Sequence, residues 1–460
     1  MYHIDFNKPC RVHFIGIGGI SMSGLAEVLL ERGFSVSGSD AKASELTEML
    51  KEHGAEIFIG QRAENIGSGI DAVVYTAAVH ADNPEFAEAE RQGLPILTRA
   101  ELLGQIMKNY RTAIAVSGTH GKTTTTSMLT EILLDAGMDP TISVGGILDS
   151  IGGNIRVGGQ ELFVTEACEY TNSFLSFYPT MGIILNVEAD HLDFFKDIDD
   201  IRHSFCRFAG LLPEDGTLII NSDIKDYEKL CEGLSCKVIT VGQDPEKSRY
   251  SADEITFDEH ACVSYRLLEN GVPQSEVALG VPGMHNVYNS LAAIAAAREL
   301  GVSMEAIKRG LLKFSGPHRR FEKKGEIGGV TVIDDYAHHP QEISATLSAA
   351  GHYPHRELWC VFQPHTYTRT KALMDEFVQA LSAADHVVLA EIYAARETDT
   401  LGISSENLAE KLRAMGTDAH CFPTFDDIET FLLKNCVNGD LLITMGAGDI
   451  VKVGERLLGQ

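Results

Sequence analysis

A chain of 460 residues is longer than one hydrophobic core usually serves and has room for about three domains. Its 44% hydrophobic residues are ordinary for a globular protein, and 38 Lys and Arg against 65 Asp and Glu leave a net charge of −27. That balance excludes a general nucleic-acid binder, because neutralising phosphates takes a basic surface, although a local basic pocket for a small anion remains open.

Nine cysteines, an odd number without a Cys-x-x-Cys pair, fit reduced thiols better than a disulfide frame. Residues 1–9 lack a basic start followed by an apolar core, and no apolar run approaches the ~18 residues of a membrane span. The expectation is a cytoplasmic protein with no membrane insertion.

The first domain is expected over residues 1–108. Arg11 to Ala26 reads as strand, glycine turn and helix; Gly16 and Gly18 fit Gly-x-Gly-x-x-Gly, but Ser21 stands at the third glycine position. A second strand from Phe34 to Ser37 leads to Asp40, near where a dinucleotide fold places its ribose-binding acid. Further β/α alternation follows at Glu56 to Ile59 and at Ala72 to Tyr75, which runs into Ala78 to Glu85. The pattern predicts an open parallel sheet with a diphosphate seat at its first turn. Dehydrogenases use the same turn, and so does tight helix–strand packing.

The second domain is expected over residues 109–314 and opens on the most informative stretch of the chain. An apolar run, Ile114 to Val116, breaks at Gly118 and Gly121, and Lys122 and Thr123 begin a helical pattern through Met128, Leu129, Ile132 and Leu133. A strand turning through glycines into a helix exposes backbone N–H groups at the positive end of the helix dipole. Lys122 adds charge for β- and γ-phosphates, and the Thr123 hydroxyl suits Mg²⁺. Val116 stands where the usual spacing has a glycine, so the loop is a short variant, Gly118, Thr119, His120, Gly121, Lys122, Thr123. It reads as a nucleoside triphosphate site.

Glu161 to Glu166 is a second buried strand ending in a carboxylate, and Met181 to Asn186 a third, running on to His191. Strand ends of a doubly wound sheet gather at one edge, where Glu166 suits Mg²⁺ as a hard oxygen ligand. His191 is an unusual Mg²⁺ ligand; a lone histidine after a strand is more often structural. Pro282 onward starts an Ala-rich helix with His285, Asn286 and Asn289 in its first turns, residues that serve a base edge or an ordinary helix start.

The third domain is expected over residues 315–460, after the break at Gly316 and Pro317 and the run Arg319, Arg320, Phe321. Four strand-like runs, Val330 to Ile333, Leu358 to Phe362, His386 to Ala390 and Asp440 to Thr444, each end in polar, Gly- or His-bearing residues. That is the pattern of a parallel sheet whose strand ends form a site.

Taken together these segments resemble the Mur ligase family over the whole chain: Gly16 to Gly24, Gly118 to Thr125, Asn186 to Asp193, Pro282 to Asn289, Arg319 to Glu322, Asp334 to Pro340, Gln363 to His365 with Arg369, and Met445 to Asp449. The resemblance implies an α/β protein of three domains: a Rossmann-like N-terminal domain for a UDP-sugar, a central P-loop-type ATPase domain, and a C-terminal Rossmann-like domain for the amino acid. It implies an enzyme of cytoplasmic peptidoglycan synthesis, with ATP as co-substrate and Mg²⁺, that joins L-alanine to the lactyl carboxylate of UDP-N-acetylmuramate as a monomer or homodimer. By the same resemblance Gly18, Ser21, Asp40 and Asn83 lie toward the UDP part. Gly118, Thr119, His120, Gly121, Lys122, Thr123 and Thr124, with Asn289, Arg319 and Asp335, lie toward ATP. Thr123, Glu166 and His191 serve Mg²⁺, and Lys122, His338, His365 and Arg369 are the catalytic candidates. One stretch departs from the family: its usual Ala-Asp-Glu-Ser-Asp after the metal-binding Glu reads Ala167, Cys168, Glu169, Tyr170, Thr171 here.

The implied chemistry sets clear demands. A carboxylate accepts an amine only after activation, and phosphorylation by ATP gives an acyl phosphate with phosphate as leaving group. Two anions meet in that step, so cations at the meeting point are the main device. Arg369 is suited to the alanine carboxylate, and either His338 or His365 to the ammonium proton. Substrates drawn from three domains imply a closure that excludes water. Three rivals stand beside this reading: a ligase of the same fold that couples a whole peptide to UDP-N-acetylmuramate, a nicotinamide-dependent oxidoreductase, and a non-catalytic nucleotide-switch protein.

Overall fold

A computed structural model describes residues 2–460 apart from Ala77, Leu192, Asp193 and Arg396, so the last two residues of the Asn186–Asp193 segment lie outside the described residues. The chain forms two compact units, one of residues up to Ser248 with Ala292–Ile307, the other of Arg249–Leu291 with Lys308–Gln460.

In the first unit, β1 (Arg11–Ile15), β2 (Ser35–Asp40), β3 (Glu56–Ile59), β4 (Ala72–Tyr75) and β5 (Ile96–Thr98) form a sheet in the order β3-β2-β1-β4-β5. Every pairing is parallel, which places the glycine turn after β1, Asp40 and the start of the helix Arg99–Met107 at one rim. A parallel sheet is covered on both faces, and Val12, Phe14, Val73 and Val74 are fully buried accordingly.

A second sheet follows, of β6 (Thr112–Ser117), β7 (Thr141–Leu148), β8 (Gly153–Arg156), β9 (Leu162–Glu166), β10 (Met181–Ile184), β11 (Thr217–Asn221) and β12 (Lys237–Val241). Its order in this unit is β12-β11-β10-β6-β9-β7-β8, parallel except for the β7–β8 hairpin. β6 therefore has β10 and β9 as neighbours, and the ends of all three meet at the phosphate loop. One apolar cluster runs between the two sheets through the elements that cover them, with Leu25 and Leu102 from helices on the first and Phe163, Phe174 and Phe208 from β9, a turn and a helix of the second. Each such fully buried side chain contributes ~1.5–3 kcal/mol before its ordering cost.

The second unit holds an antiparallel meander, β13 (Tyr250–Phe257), β14 (Cys262–Glu269) and β15 (Val272–Pro282). It also holds a sheet of β16 (Glu322–Ile327), β17 (Val330–Asp335), β18 (Leu358–Phe362), β19 (His386–Leu389), β20 (Asp418–Cys421) and β21 (Leu441–Met445), ordered β16-β17-β21-β18-β19-β20. Only edge strand β16 runs antiparallel. The four runs expected from the sequence are β17, β18, β19 and β21, and they are contiguous: Asp335 and Phe362 both pair with Met445, and Phe362 also pairs with Leu389.

Candidate active site

The phosphate loop is shaped by two glycines. Gly118 has φ +143° and lies so close to β10 that an added Cβ would stand 2.9 Å from the Leu185 side chain; Gly121 has φ +82°. Gly121 is also the N-cap of the helix Lys122–Asp135 and supplies no side-chain acceptor, so the first-turn N–H groups face the loop. The other wall is Asn186. Its side chain accepts a hydrogen bond from His120 N at 2.7 Å and donates one to His120 O at 3.0 Å, gripping that residue at both ends. Thr119 N donates to Asn186 O, and Glu188 N donates to the Thr119 hydroxyl.

Lys122 Nζ lies 2.9 Å from Glu169 Oε2 and donates also to the carbonyls of Gly118 (2.5 Å) and Thr119 (3.1 Å). Burial works against the charge. The Glu169 carboxylate, Cys168 and Glu166 outweigh it and hold the pKa above the usual lysine range. Glu169 was not assigned a role from the sequence; 47 residues from Lys122, it has no local signal linking the two.

Glu169 also reaches the next candidate. Its Oε1, buried and without a hydrogen-bond partner, is 3.7 Å from His191 Nε2, which stands 3.7 Å from Asp190 Oδ2 as well. His191 is held in the left-handed region at φ +52°, with the Tyr170 ring 4.6 Å from its own. Glu166, at the end of β9, accepts a hydrogen bond from Gly145 N at 2.5 Å. Thus Lys122, Thr123, Glu166 and His191 sit on strand ends and a helix start around one loop.

At the rim of the first sheet, Gly16 N and Ile17 N donate to Ser39 O, and Gly18 N donates to Asp40 Oδ2 at 2.9 Å. Asp40 therefore braces the glycine turn. Ser21 is exposed in the first turn of the helix Ile20–Glu31. Asn83 caps the helix Pro84–Gln92, accepting from Glu85 N and Phe86 N, and donates to Gln61 Oε1.

In the second unit, His338, His365 and Arg369 come together after β17 and β18. The His338 and His365 rings are 5.8 Å apart, and Arg369 Nη1 lies 3.5 Å from His365 Nδ1. His338 Nδ1 donates to Tyr336 O at 2.9 Å, which leaves Nε2 as the lone-pair nitrogen, and Glu342 accepts from His338 N. Burial lowers the His338 pKa to about 4, with Glu342 opposing and Arg369 assisting. Burial, with Arg369, lowers that of His365 too. Both imidazoles are neutral at pH 7 and competent to take a proton.

Asp335 ends β17 and accepts from Phe321 N and Ala337 N; burial lifts its pKa to about 6 against the pull of Arg320. Arg319 donates to Asp334, Gly448 O and Gly446 O, locking β17 to the loop after β21. Asn289 donates to Asn286 Oδ1 on the helix His285–Glu299.

Family models match almost end to end: "Mur ligase family, catalytic domain" over residues 11–111, "Mur ligase middle domain" over 116–297 and "Mur ligase, glutamate ligase domain" over 319–448. The chain belongs to the Mur ligase family. Among Mur ligases, it is 67% identical over 458 residues to a Lachnospira eligens protein named UDP-N-acetylmuramate--L-alanine ligase, and 60% identical to the Agathobacter rectalis protein of that name, with all of both chains covered in each case. The crystal structure of UDP-N-acetylmuramate-alanine ligase from Thermotoga maritima matches over 98% of both chains at 30% identity and a TM-score of 0.79. That of a murein peptide ligase from Psychrobacter arcticus matches over 98% of both at 26% identity and 0.69. Among the described residues no helix is long and apolar enough to cross a membrane.

Proposed function

We propose that this Mur ligase joins L-alanine to the lactyl carboxylate of UDP-N-acetylmuramate at the expense of ATP, in the cytoplasm, as a step of peptidoglycan precursor synthesis. The observation that carries it is full-length identity of 60–67% to proteins named for this reaction. We take residues 1–108 as the UDP-sugar domain, 109–314 as the ATP domain and 315–460 as the amino-acid domain. The family-model bounds support these limits.

The proposal gives the site residues their roles. The N–H groups and Lys122 ammonium of the loop hold the β- and γ-phosphates of ATP as the γ-phosphoryl passes to the lactyl carboxylate. Asn289, Arg319 and Asp335 serve the nucleotide, and Gly18, Ser21, Asp40 and Asn83 the UDP group. The unpartnered Oε1 of Glu169 and the Glu166 carboxylate give this corner the hard oxygen donors that a divalent cation takes. No three His, Cys, Asp or Glu side chains among the described residues form a preformed cage. Mg²⁺ keeps waters and phosphate oxygens and needs few protein donors. Thr123, Glu166 and His191 would hold the ion, whose charge offsets that of the phosphate oxygens.

For the second step, His338 is the better oriented of the two histidines. Its Nδ1 proton is committed to the Tyr336 carbonyl, so Nε2 takes the ammonium proton of L-alanine, while Arg369 binds the alanine carboxylate. The freed amine attacks the acyl phosphate, and the tetrahedral adduct collapses to amide and phosphate.

The deciding assay supplies ATP, MgCl₂ and UDP-N-acetylmuramate with either L-alanine or a free tripeptide as the amine. Phosphate release and a UDP-N-acetylmuramoyl-alanine product with L-alanine are expected. Coupling of the tripeptide alone would transfer the chain to the peptide-ligase reading.

A further inference from the structure

The mechanism above leaves one cation unused. Arg99, the first residue of the helix Arg99–Met107, is half-buried and makes no hydrogen bond or ion pair with any described residue. The other half-buried arginines are engaged: Arg11 with Glu56, Arg32 with Gly158 O, Arg156 with Asp139, Arg202 with Lys225 O, Arg249 with Glu269, Arg266 with Asp253, Arg319 with Asp334, Arg320 with Glu342 and Arg369 with His365. Burial pulls the Arg99 guanidinium below its ordinary pKa range. A half-buried charge without a counter-ion is costly, and the Arg99 nitrogens still reach solvent, where an anion can approach them.

Nearby acids are committed elsewhere. Glu101, on the same helix, accepts from the backbone and hydroxyl of Thr98. Glu169 holds Lys122, and Glu166 holds Gly145 N. Burial and Glu169 push the Cys168 thiol up, so it stays neutral and supplies no counter-charge.

Position then names the class of ligand. Arg99 leaves β5 at the rim that carries the Gly16–Gly18 turn. Its helix lies against the turn Tyr170–Ser176 so closely that a Cβ on Gly104 would collide with the Ser176 carbonyl. That turn follows Cys168 and Glu169, the neighbours of Lys122. The helix that Arg99 starts thus runs from the rim of the diphosphate seat to the turn that follows Glu169, inside one compact unit.

We infer that Arg99 is a substrate-binding residue that takes an anionic group of the UDP-sugar, its diphosphate or its lactyl carboxylate. The inference rests on the proposed function, since that reading supplies a substrate with both anions. A guanidinium binds either group bidentately.

Isothermal titration of wild type, Arg99→Gln and Arg99→Lys with UDP-N-acetylmuramate, UDP-N-acetylglucosamine and ATP tests it. Arg99→Gln is expected to weaken UDP-N-acetylmuramate by about 30-fold or more, as loss of a charge-assisted bidentate pair does. Arg99→Lys should recover part of that loss. ATP affinity is expected to hold, and the ligand-free Tm to stay level or rise, because the removed charge had no partner. Weakening confined to UDP-N-acetylmuramate assigns the lactyl carboxylate, whereas equal weakening of both sugars assigns the diphosphate. Unchanged UDP-N-acetylmuramate affinity in Arg99→Gln overturns the inference alone, and so does a fall in Tm with parallel loss of ATP binding, which marks a structural arginine. Wild type that fails to bind UDP-N-acetylmuramate overturns the proposed function and, with it, this inference.

Discussion

Lys122 Nζ sits 2.9 Å from Glu169 Oε2, so the cation of the phosphate loop carries its own counter-ion. The pairing keeps an enclosed ammonium charged, which is the form the γ-phosphoryl needs. Lys122→Ala is expected to cut phosphate release by about 10³-fold or more, the scale of losing a principal charge stabiliser, while UDP-sugar affinity is retained. Glu169→Gln leaves the ammonium with only carbonyl acceptors and is expected to destabilise the fold by about 2 kcal/mol. Phosphate release and denaturant titration check the two; full activity in Lys122→Ala would refute the loop assignment.

Asn186 predicts a different profile. Its amide matches the N–H and C=O of His120 in a two-point contact, so it positions the loop without having to touch phosphate. Asn186→Ala should lower kcat/KM for ATP by roughly 10–100-fold through a misplaced cradle, with a stability loss of about 1–2 kcal/mol. Asn186→Asp keeps the acceptor for His120 N but sets a carboxylate against the His120 carbonyl and beside the phosphates. It should therefore raise KM for ATP more than the alanine variant does, although it is closer in shape. If Asp supports ATP turnover better than Ala, the contact is only steric.

Much of this architecture was legible in the chain because parallel strands advertise themselves. Ile114 to Val116 and Leu358 to Phe362 are apolar on both faces and reach a glycine or proline, Gly118 or Pro364, two residues on. The β13–β15 meander was missed for the converse reason: β14 alternates buried and half-buried residues, and its flanks read as polar linker. The β7–β8 hairpin hides among the glycines of 145–153. At the candidate site, motif and strand end draw the eye to the loop and Glu166, and the family resemblance to His191. Glu169, Asn186 and Arg99 were not, because what singles them out is a partner, or the lack of one, far along the chain.

Arg319 predicts a loss that nucleotide alone does not explain. Its guanidinium spans Asp334, which is fully buried, and the carbonyls of Gly446 and Gly448. Burial lifts the Asp334 pKa, and Arg319 is the chief force opposing that. Arg319→Ala strands the carboxylate and two carbonyls, at a cost of about 3 kcal/mol, the scale of breaking a buried pair. Arg319→Lys supplies a point charge in place of a fork and should recover less than half. Thermal unfolding monitored through Trp359, which lies on β18 two strands away, reads this out. A variant with wild-type Tm and only a raised KM for ATP would show that the bonds matter little to the fold.

His338 carries the pH prediction. Its folded pKa of about 4 lies below the unfolded value near 6.5, so between those limits the unfolded chain binds the extra proton. Stability from this group is therefore complete above pH 6.5 and lost as pH falls toward 4. Asp335 works the other way: its folded pKa of about 6 lies above 3.8, so its contribution is complete below 3.8 and lost as pH rises through 6. His338→Gln removes the first term, and its stability should fall less than that of wild type between pH 6.5 and 4. For catalysis the neutral imidazole is the working form in the free enzyme, so the acidic limb of kcat/KM for L-alanine assigned to His338 belongs well below pH 6. An acidic limb centred at 6.5 and abolished by His338→Gln would mean that the imidazole titrates as if exposed, and the enclosed Tyr336-bonded geometry would not be the one that takes the proton.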